Sequence, residues 1–151
     1  MQEGLTPSKY KARSVYNAQG IRFDSQAECD YDACLRQLVA KGEVVSYTRQ
    51  PSFVLQEGFR DANDVAILPI AYRADFDVYY ADGHREIVDV KGIMTDVFRL
   101  KRKLFLYRYP FLVLRCVKRI GRRSGHLPSD WRDVAFDGKK KKARKKQKAS
   151  S

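Results

Sequence analysis

The stretch Asp75-Phe-Asp-Val-Tyr-Tyr-Ala-Asp-Gly-His-Arg-Glu-Ile-Val-Asp-Val-Lys91 decides how the chain is expected to fold. Ile70–Tyr80 and Arg85–Val90 each have the composition of a β-strand, and the Asp-Gly pair in residues 81–84 between them is a strong hairpin signal. The sequence therefore predicts two antiparallel neighbouring strands that carry acidic side chains.

The spacing of the charges within this hairpin predicts a site. Side chains two residues apart on a strand point to the same face, so Asp75 is expected beside Asp77, and Asp89 beside Lys91. If Asp75 and Asp89 meet across the hairpin, they form a pair of oxygen ligands suited to Mg²⁺, with a cation next to it. That combination suits hydrolysis of a phosphodiester. Asp77 stays an alternative to Asp75.

The elements on either side of the hairpin complete one fold class. Their order predicts an α/β (α+β) fold, in which a mixed central β-sheet is flanked by helices. The second helix is expected to pack through an apolar stripe of Val97, Leu100, Leu104 and Tyr107. The predicted elements are a hairpin over 14–24, a helix over Ser25–Lys41 stopped by Gly42, strands at Val44–Tyr47 and Phe53–Gln56, a polar loop over Glu57–Asp64, a helix over Thr95–Tyr109 and a buried strand over Phe111–Val117.

The charge of the chain is unevenly distributed. The formal net charge is +12, and residues 138–151 contain eight basic and no acidic residues. A block of like charges without large apolar side chains cannot bury a core, so we expect residues 1–137 to form one domain and 138–151 to be a disordered tail. The remainder keeps 22 basic against 18 acidic residues, which favours a polyanionic partner.

Two further features bear on location. No apolar run approaches the roughly 20 residues that cross a bilayer, and residues 1–13 lack the apolar centre of a secretory signal. The cysteines Cys29, Cys34 and Cys116 are odd in number and lack zinc-site spacing, so we expect inert thiols. The prediction is a cytoplasmic or nucleoid-side protein.

Glu28 is a third acidic candidate. Ser25-Gln-Ala-Glu28 matches a capping box, which would by itself explain the glutamate. Glu28 also lies beside Tyr31 and Leu35 at the border of the apolar stripe of its helix, so it can face the sheet. Both interpretations stay open.

The ordered set of these motifs resembles the PD-(D/E)XK nuclease superfamily, and within it the small phage and prophage nucleases of the Holliday-junction-resolvase-like and endonuclease-I-like type. The resemblance covers roughly residues 9–117, with Glu28 on an early helix, then Tyr72-Arg-Ala-Asp-Phe76 and Val88-Asp-Val-Lys-Gly92. It departs from the pattern at Ala74, where a proline is expected, and at Asp89, where glutamate is commoner.

The resemblance implies a restriction-endonuclease-like core and a catalytic set of Glu28, Asp75, Asp89 and Lys91. Asp75, Asp89, the Val90 carbonyl and Glu28 would bind Mg²⁺, for which Mn²⁺ could substitute, and Lys91 would orient the attacking water. The implied activity is metal-dependent endonucleolytic cleavage of branched DNA such as a four-way junction, in DNA recombination.

Basic residues beyond the motif are expected to contact the DNA backbone, where they would supply affinity rather than sequence choice. Arg102 is instead expected on a solvated helix face. The expected DNA-contacting residues are Arg99, Lys101, Lys103, Arg115, Lys118, Arg119, Arg122 and Arg123.

Resolving a four-way junction takes two symmetric incisions, so a homodimer is expected. Two alternatives remain: a non-catalytic DNA- or RNA-binding accessory protein, and a duplex-specific restriction or nicking nuclease.

Overall fold

The computed structural model of the chain describes residues 13–136. The expected tail at 138–151 lies outside the described residues, as do the first twelve residues of the expected domain. No helix in the described part is long and apolar enough to cross a membrane.

The described residues form eleven β-strands and two α-helices, joined by short turns. In chain order they are β1 (Val15–Tyr16), β2 (Arg22–Phe23), α1 (Gln26–Ala40), β3 (Val44–Arg49), β4 (Ser52–Gln56), β5 (Phe59–Arg60), β6 (Ala66–Ile67), β7 (Ile70–Arg73), β8 (Phe76–Tyr80), β9 (Arg85–Val90), α2 (Asp96–Arg108), β10 (Val113–Arg119) and β11 (Trp131–Asp133), with a 3₁₀ turn at Pro128–Asp130.

A mixed five-stranded sheet in the order β11-β10-β9-β8-β3 forms the centre of the protein. Strands β9 and β10 run parallel, because the chain crosses over through α2 between them, and the other neighbours are antiparallel. The predicted α+β class with a mixed sheet and two helices is confirmed.

Two separate hydrophobic clusters hold the layers together. Tyr31 and Leu35 of α1 share one cluster with Val88 of β9. Phe98 and Phe105 of α2 belong to the other, which also contains side chains of β4, β7, β9 and β10. Because neighbouring side chains of β9 enter different clusters, the sheet is covered on both faces.

Local signals set the ends of α1. The Ser25 hydroxyl accepts the Glu28 amide at 3.1 Å, as an N-cap does. At the other end Gly42 has φ +78°, and the amides of Gly42 and Glu43 reach back to the carbonyls of Val39 and Leu38, both at 3.0 Å. This Schellman arrangement needs the left-handed conformation that glycine adopts without strain. The predicted helix is confirmed within one residue at each end.

The predicted strand over Ile70–Tyr80 is wrong as one continuous element. β7 pairs with β4 in a separate two-stranded sheet, whereas β8 pairs with β3 and β9. The chain passes between the sheets at Ala74 and Asp75, whose amides donate to Pro51 O at 3.0 Å and Val88 O at 3.1 Å. Asp75 therefore sits at a break between strands, not within one.

The predicted face of α2 is also wrong. Val97, Leu100 and Tyr107 are exposed, and Phe98 and Phe105 are buried instead. The aromatic rings of the second set form edge contacts with Tyr72 and Phe53. Because Phe98 and Phe105 pack into this aromatic cluster, their side of α2 faces the sheet.

Smaller differences complete the comparison with the sequence. The loop predicted at Glu57–Asp64 contains β5, which pairs with β6. The last predicted strand runs over Val113–Arg119 rather than Phe111–Val117. The hairpins at 14–24 and at 81–84 are confirmed.

The three cysteines are free thiols. Burial raises the pKa of Cys34 to about 11 and of Cys116 to about 12. Both are therefore protonated at neutral pH, as expected for inert thiols.

Candidate active site

A cleft of about 420 Å³ opens where the break between β7 and β8 meets the end of β9 and the start of α2. The four residues of the predicted catalytic set line it together: Glu28, Asp75, Asp89 and Lys91. The remaining lining residues are Ala71, Tyr72, Arg73, Val90, Thr95, Val97, Phe98 and Lys101.

Asp75 lies where the chain passes from one sheet to the other, and its side chain lines this cleft. Its Oδ2 accepts the Val90 amide at 2.7 Å, which ties the break to the neighbouring strand. Asp77, two residues on, instead accepts two hydrogen bonds from Arg85, at 2.8 Å and 2.7 Å. Of the two aspartates, Asp75 is the one that lines the cleft.

Asp89 is the most confined carboxylate in the cleft, with 3% of its surface exposed. The Lys91 ammonium lies 2.9 Å from its Oδ1, so the predicted i, i+2 pair is confirmed. Its Oδ2 accepts a hydrogen bond from the Tyr72 hydroxyl. Lys91 also lies over the Phe98 ring, 3.6 Å from the centroid, which holds its charge at the mouth of the cleft.

The carboxylates in the cleft repel one another. Burial raises the pKa of Asp75 to about 8, and the neighbouring charges of Asp89 and Glu28 add to the effect. Burial likewise raises the pKa of Glu28, with Asp24 the next cause and Asp89 a smaller one. A cation bound between these groups would relieve both effects.

Glu28 has two roles that the sequence left open as alternatives. Besides the N-cap contact through its amide, its Oε1 accepts the Ser25 hydroxyl at 3.2 Å. The same side chain lines the cleft. The capping interaction thus fixes the glutamate at the cleft's edge.

The donor set fits a hard divalent cation through two carboxylates. Among residues 13–136 no three His, Cys, Asp or Glu side chains lie close enough together to hold a metal ion. Asp75 and Asp89 line the same cleft, and the charge of Asp89 raises the pKa of Asp75. Mg²⁺ typically keeps several waters and uses one or two protein carboxylates, so this pair suffices. The amide of Val90 faces Asp75, and the predicted role of its carbonyl stays a prediction.

Tyr72 is the site residue that the sequence did not reveal. Its ring is buried, and burial together with the Asp89 charge raises the pKa of its hydroxyl, which stays protonated and donates to Asp89. A buried tyrosine hydroxyl needs a partner, but this partner belongs to another sheet. Tyr72 and Asp89 come together because the chain passes from one sheet to the other at Ala74 and Asp75.

The basic residues predicted to contact DNA fall into three groups. Lys101 lines the cleft and donates to Ala71 O at 2.9 Å. Arg99, Lys103, Lys118 and Arg122 are exposed. The third group is held in ion pairs, which are Arg115 with Asp133 and Glu86, Arg119 with Asp30, and Arg123 with Asp130.

Arg102 corrects one expectation. It is half-buried, with its guanidinium 3.9 Å from the centre of the Phe136 ring, and does not lie on a solvated face.

Comparison with known families assigns the chain to one of them. The model of a family described as "Protein of unknown function (DUF1064)" matches residues 7–124. The chain belongs to the DUF1064 family. The match spans every residue that lines the cleft in this DUF1064 protein. No curated protein and no solved structure matches the chain.

Proposed function

We propose that this DUF1064 protein is a Mg²⁺-dependent endodeoxyribonuclease with a restriction-endonuclease-like core that cleaves branched or otherwise structured DNA. The observation that carries the proposal is the convergence of Asp75, Asp89 and Lys91 on one open cleft. A pair of carboxylates that can hold a divalent ion, beside an ammonium, suits metal-dependent hydrolysis of a phosphodiester.

Asp75 and Asp89 would hold Mg²⁺, with Glu28 beside them. The bound ion would polarise a phosphate oxygen and lower the pKa of a bound water. The protein's part is to hold both carboxylates in place. The Val90 amide orients Asp75, and Tyr72 and Lys91 orient Asp89.

Lys91 supplies the positive charge for the reacting phosphate. One of its three N–H donors is directed at Asp89, so two remain for a water or a phosphate oxygen. An ammonium held in advance stabilises the charge that develops on the phosphoryl oxygens at no further reorganisation cost. The stacking on Phe98 limits its motion.

Arg73 and Lys101 line the same cleft and add positive charge around the acidic pair. Such residues would bind the phosphates next to the scissile bond, independently of sequence. A homodimer would place two such clefts in symmetric positions for a four-way junction.

A second candidate function, a non-catalytic nucleic-acid-binding protein, is favoured by one observation. Both carboxylate oxygens of Asp89 already have protein partners, Lys91 and Tyr72. An ion pair with a hydrogen bond can be purely structural.

A substrate panel separates the candidates. The full chain is incubated with a synthetic four-way junction, linear duplex and RNA, in Mg²⁺ and in EDTA. Metal-dependent nicks on the junction support the proposal, and cleavage of plain duplex at equal rate identifies a restriction or nicking enzyme. Retention of the DNA without product in either buffer identifies a binding protein.

A further inference from the structure

The outward face of helix α2 is apolar where a solvated helix would be polar. Val97 is 65% exposed, Leu100 60% and Tyr107 88%. Phe111, three residues beyond the helix, is 97% exposed. We call these four residues the α2 outer surface; the described part of the chain leaves them open. Exposed apolar patches of this kind mark binding sites.

Positive charge borders this surface. At 100° per residue, Arg99 and Lys103 fall along one edge of the exposed arc. Both are exposed, and neither makes an ion pair within residues 13–136. By contrast, Lys101 and Arg108 at the other edge are engaged with Ala71 O and with Glu57. The helix carries a single acidic residue, Asp96, in its first turn.

The charges decide between two occupants of the surface. A second copy of the chain would bring Arg99 and Lys103 of one helix against those of the other, and like charges at such a contact are destabilising. A single nucleic-acid strand has the complementary character, because its phosphates are anionic and its bases have apolar faces. Aromatic side chains beside a basic edge are how proteins bind single strands.

The surface is continuous with the cleft. Val97 lines the cleft and starts the surface, and Lys101 lies one turn further along the same helix. From Val97 to Tyr107 the helix extends about 15 Å. At roughly 3.4 Å per stacked nucleotide, that length accommodates about four nucleotides.

We infer that the α2 outer surface binds an unpaired strand of nucleic acid, with bases on Tyr107 and Phe111 and phosphates at Arg99 and Lys103, and leads it to the cleft. The inference rests on the proposed function for the identity of the ligand. It specifies a substrate with unpaired nucleotides next to the cut site.

Binding without metal tests this inference separately from catalysis. Fluorescence anisotropy of the full chain is measured in EDTA at physiological salt, with a labelled single strand of about ten nucleotides and with the matching duplex. The variants are Tyr107→Ala, Tyr107→Phe and Phe111→Ala. Tyr16→Ala is the matched control, since Tyr16 is 67% exposed and lies on β1.

Each alanine variant of the surface is expected to weaken single-strand binding about tenfold. Tyr107→Phe keeps the ring and is expected to bind like the wild type, as is Tyr16→Ala. Duplex binding changes little, because paired bases present no free face. Circular dichroism of the variants checks that the fold is retained.

Unchanged single-strand binding by Tyr107→Ala and Phe111→Ala overturns the inference. If these variants also change from dimer to monomer in sedimentation, the α2 outer surface is a contact between two copies of the chain instead. If the alanine variants lose single-strand binding but the wild type cuts no substrate in Mg²⁺, the inference is supported and the proposed nuclease activity is contradicted. If the wild type cuts DNA but the alanine variants bind the single strand normally, the nuclease activity is supported and the inference is overturned.

Discussion

Asp75 and Asp89 line the same cleft, although Asp75 precedes β8 and Asp89 lies in β9. The Asp75 amide donates to Val88 O, and its carboxylate accepts the Val90 amide, so two backbone contacts flank the position of Asp89. Burial and the charge of Asp89 raise the pKa of Asp75, so the two carboxyl groups cannot both ionise without cost unless a cation joins them.

The first prediction concerns stability without metal. The pKa of Asp75 is raised from 3.8 to about 8, so between these values the unfolded chain ionises while the folded protein keeps the proton. The stabilisation from this group is complete below pH 3.8 and is lost as pH rises toward 8. Asp75→Asn cannot ionise at this position and so does not lose this stabilisation as pH rises. The free energy of unfolding of the variant minus that of the wild type should therefore increase by on the order of 1–3 kcal/mol from pH 4 to pH 8.

Urea unfolding in EDTA at several pH values measures this difference. Asp64→Asn is the control, since Asp64 is an exposed loop residue with φ 60°, a conformation that asparagine tolerates. A stability difference between Asp75→Asn and wild type that is independent of pH would show that Asp75 is not held at a raised pKa.

The second prediction concerns stability with metal. Free Mg²⁺ at tenfold its dissociation constant should stabilise the wild type by about 1.4 kcal/mol at pH 8, and Mn²⁺ should act likewise. Asp75→Asn and Asp89→Asn should lose this gain, whereas Asp64→Asn should keep it. Thermal unfolding with Mg²⁺ against NaCl of equal ionic strength measures it. Equal stabilisation of all four proteins would mean that the ion binds elsewhere.

The third prediction concerns Tyr72. Tyr72→Phe keeps the ring in its cluster but removes the donor to Asp89, so junction cleavage and Mg²⁺ affinity should fall about 10–100-fold. Tyr109→Phe is the matched control, because its hydroxyl donates to Val54 O at 2.8 Å in the same cluster but away from the cleft. Equal losses in both variants would indicate a purely structural role.

The fourth prediction concerns Lys91. Lys91→Met should slow cleavage at least about 100-fold, because it removes the preorganised charge beside the reacting phosphate. Mg²⁺ binding should persist, since the carboxylates remain. Lys41→Met, on the exposed C-cap of α1, should cleave like wild type. Cleavage at wild-type rate by Lys91→Met would assign this lysine to the ion pair alone.

Much of this site could be predicted from local sequence. Asp89 and Lys91 are two residues apart on one strand, so strand geometry alone places them together. The cap at Ser25 fixes where α1 starts and thereby where Glu28 lies. Such short-range relationships depend on few neighbours.

What depended on tertiary packing could not be predicted. Residues 70–80 alternate like one strand, and only the pairing of β4 with β7 reveals the break that separates Asp75 from Asp77. In α2, two sets of apolar residues each have the spacing of a buried helix face. Only the packing of Phe98 and Phe105 shows which of the two sets is buried.

The central claim is that Asp75 and Asp89 together hold a divalent ion, and anomalous diffraction from a crystal of the full chain soaked in Mn²⁺ tests it most directly. The account predicts an anomalous peak between these two carboxylates, absent from crystals of Asp89→Asn. A peak only at other sites, or none at saturating Mn²⁺, would contradict it.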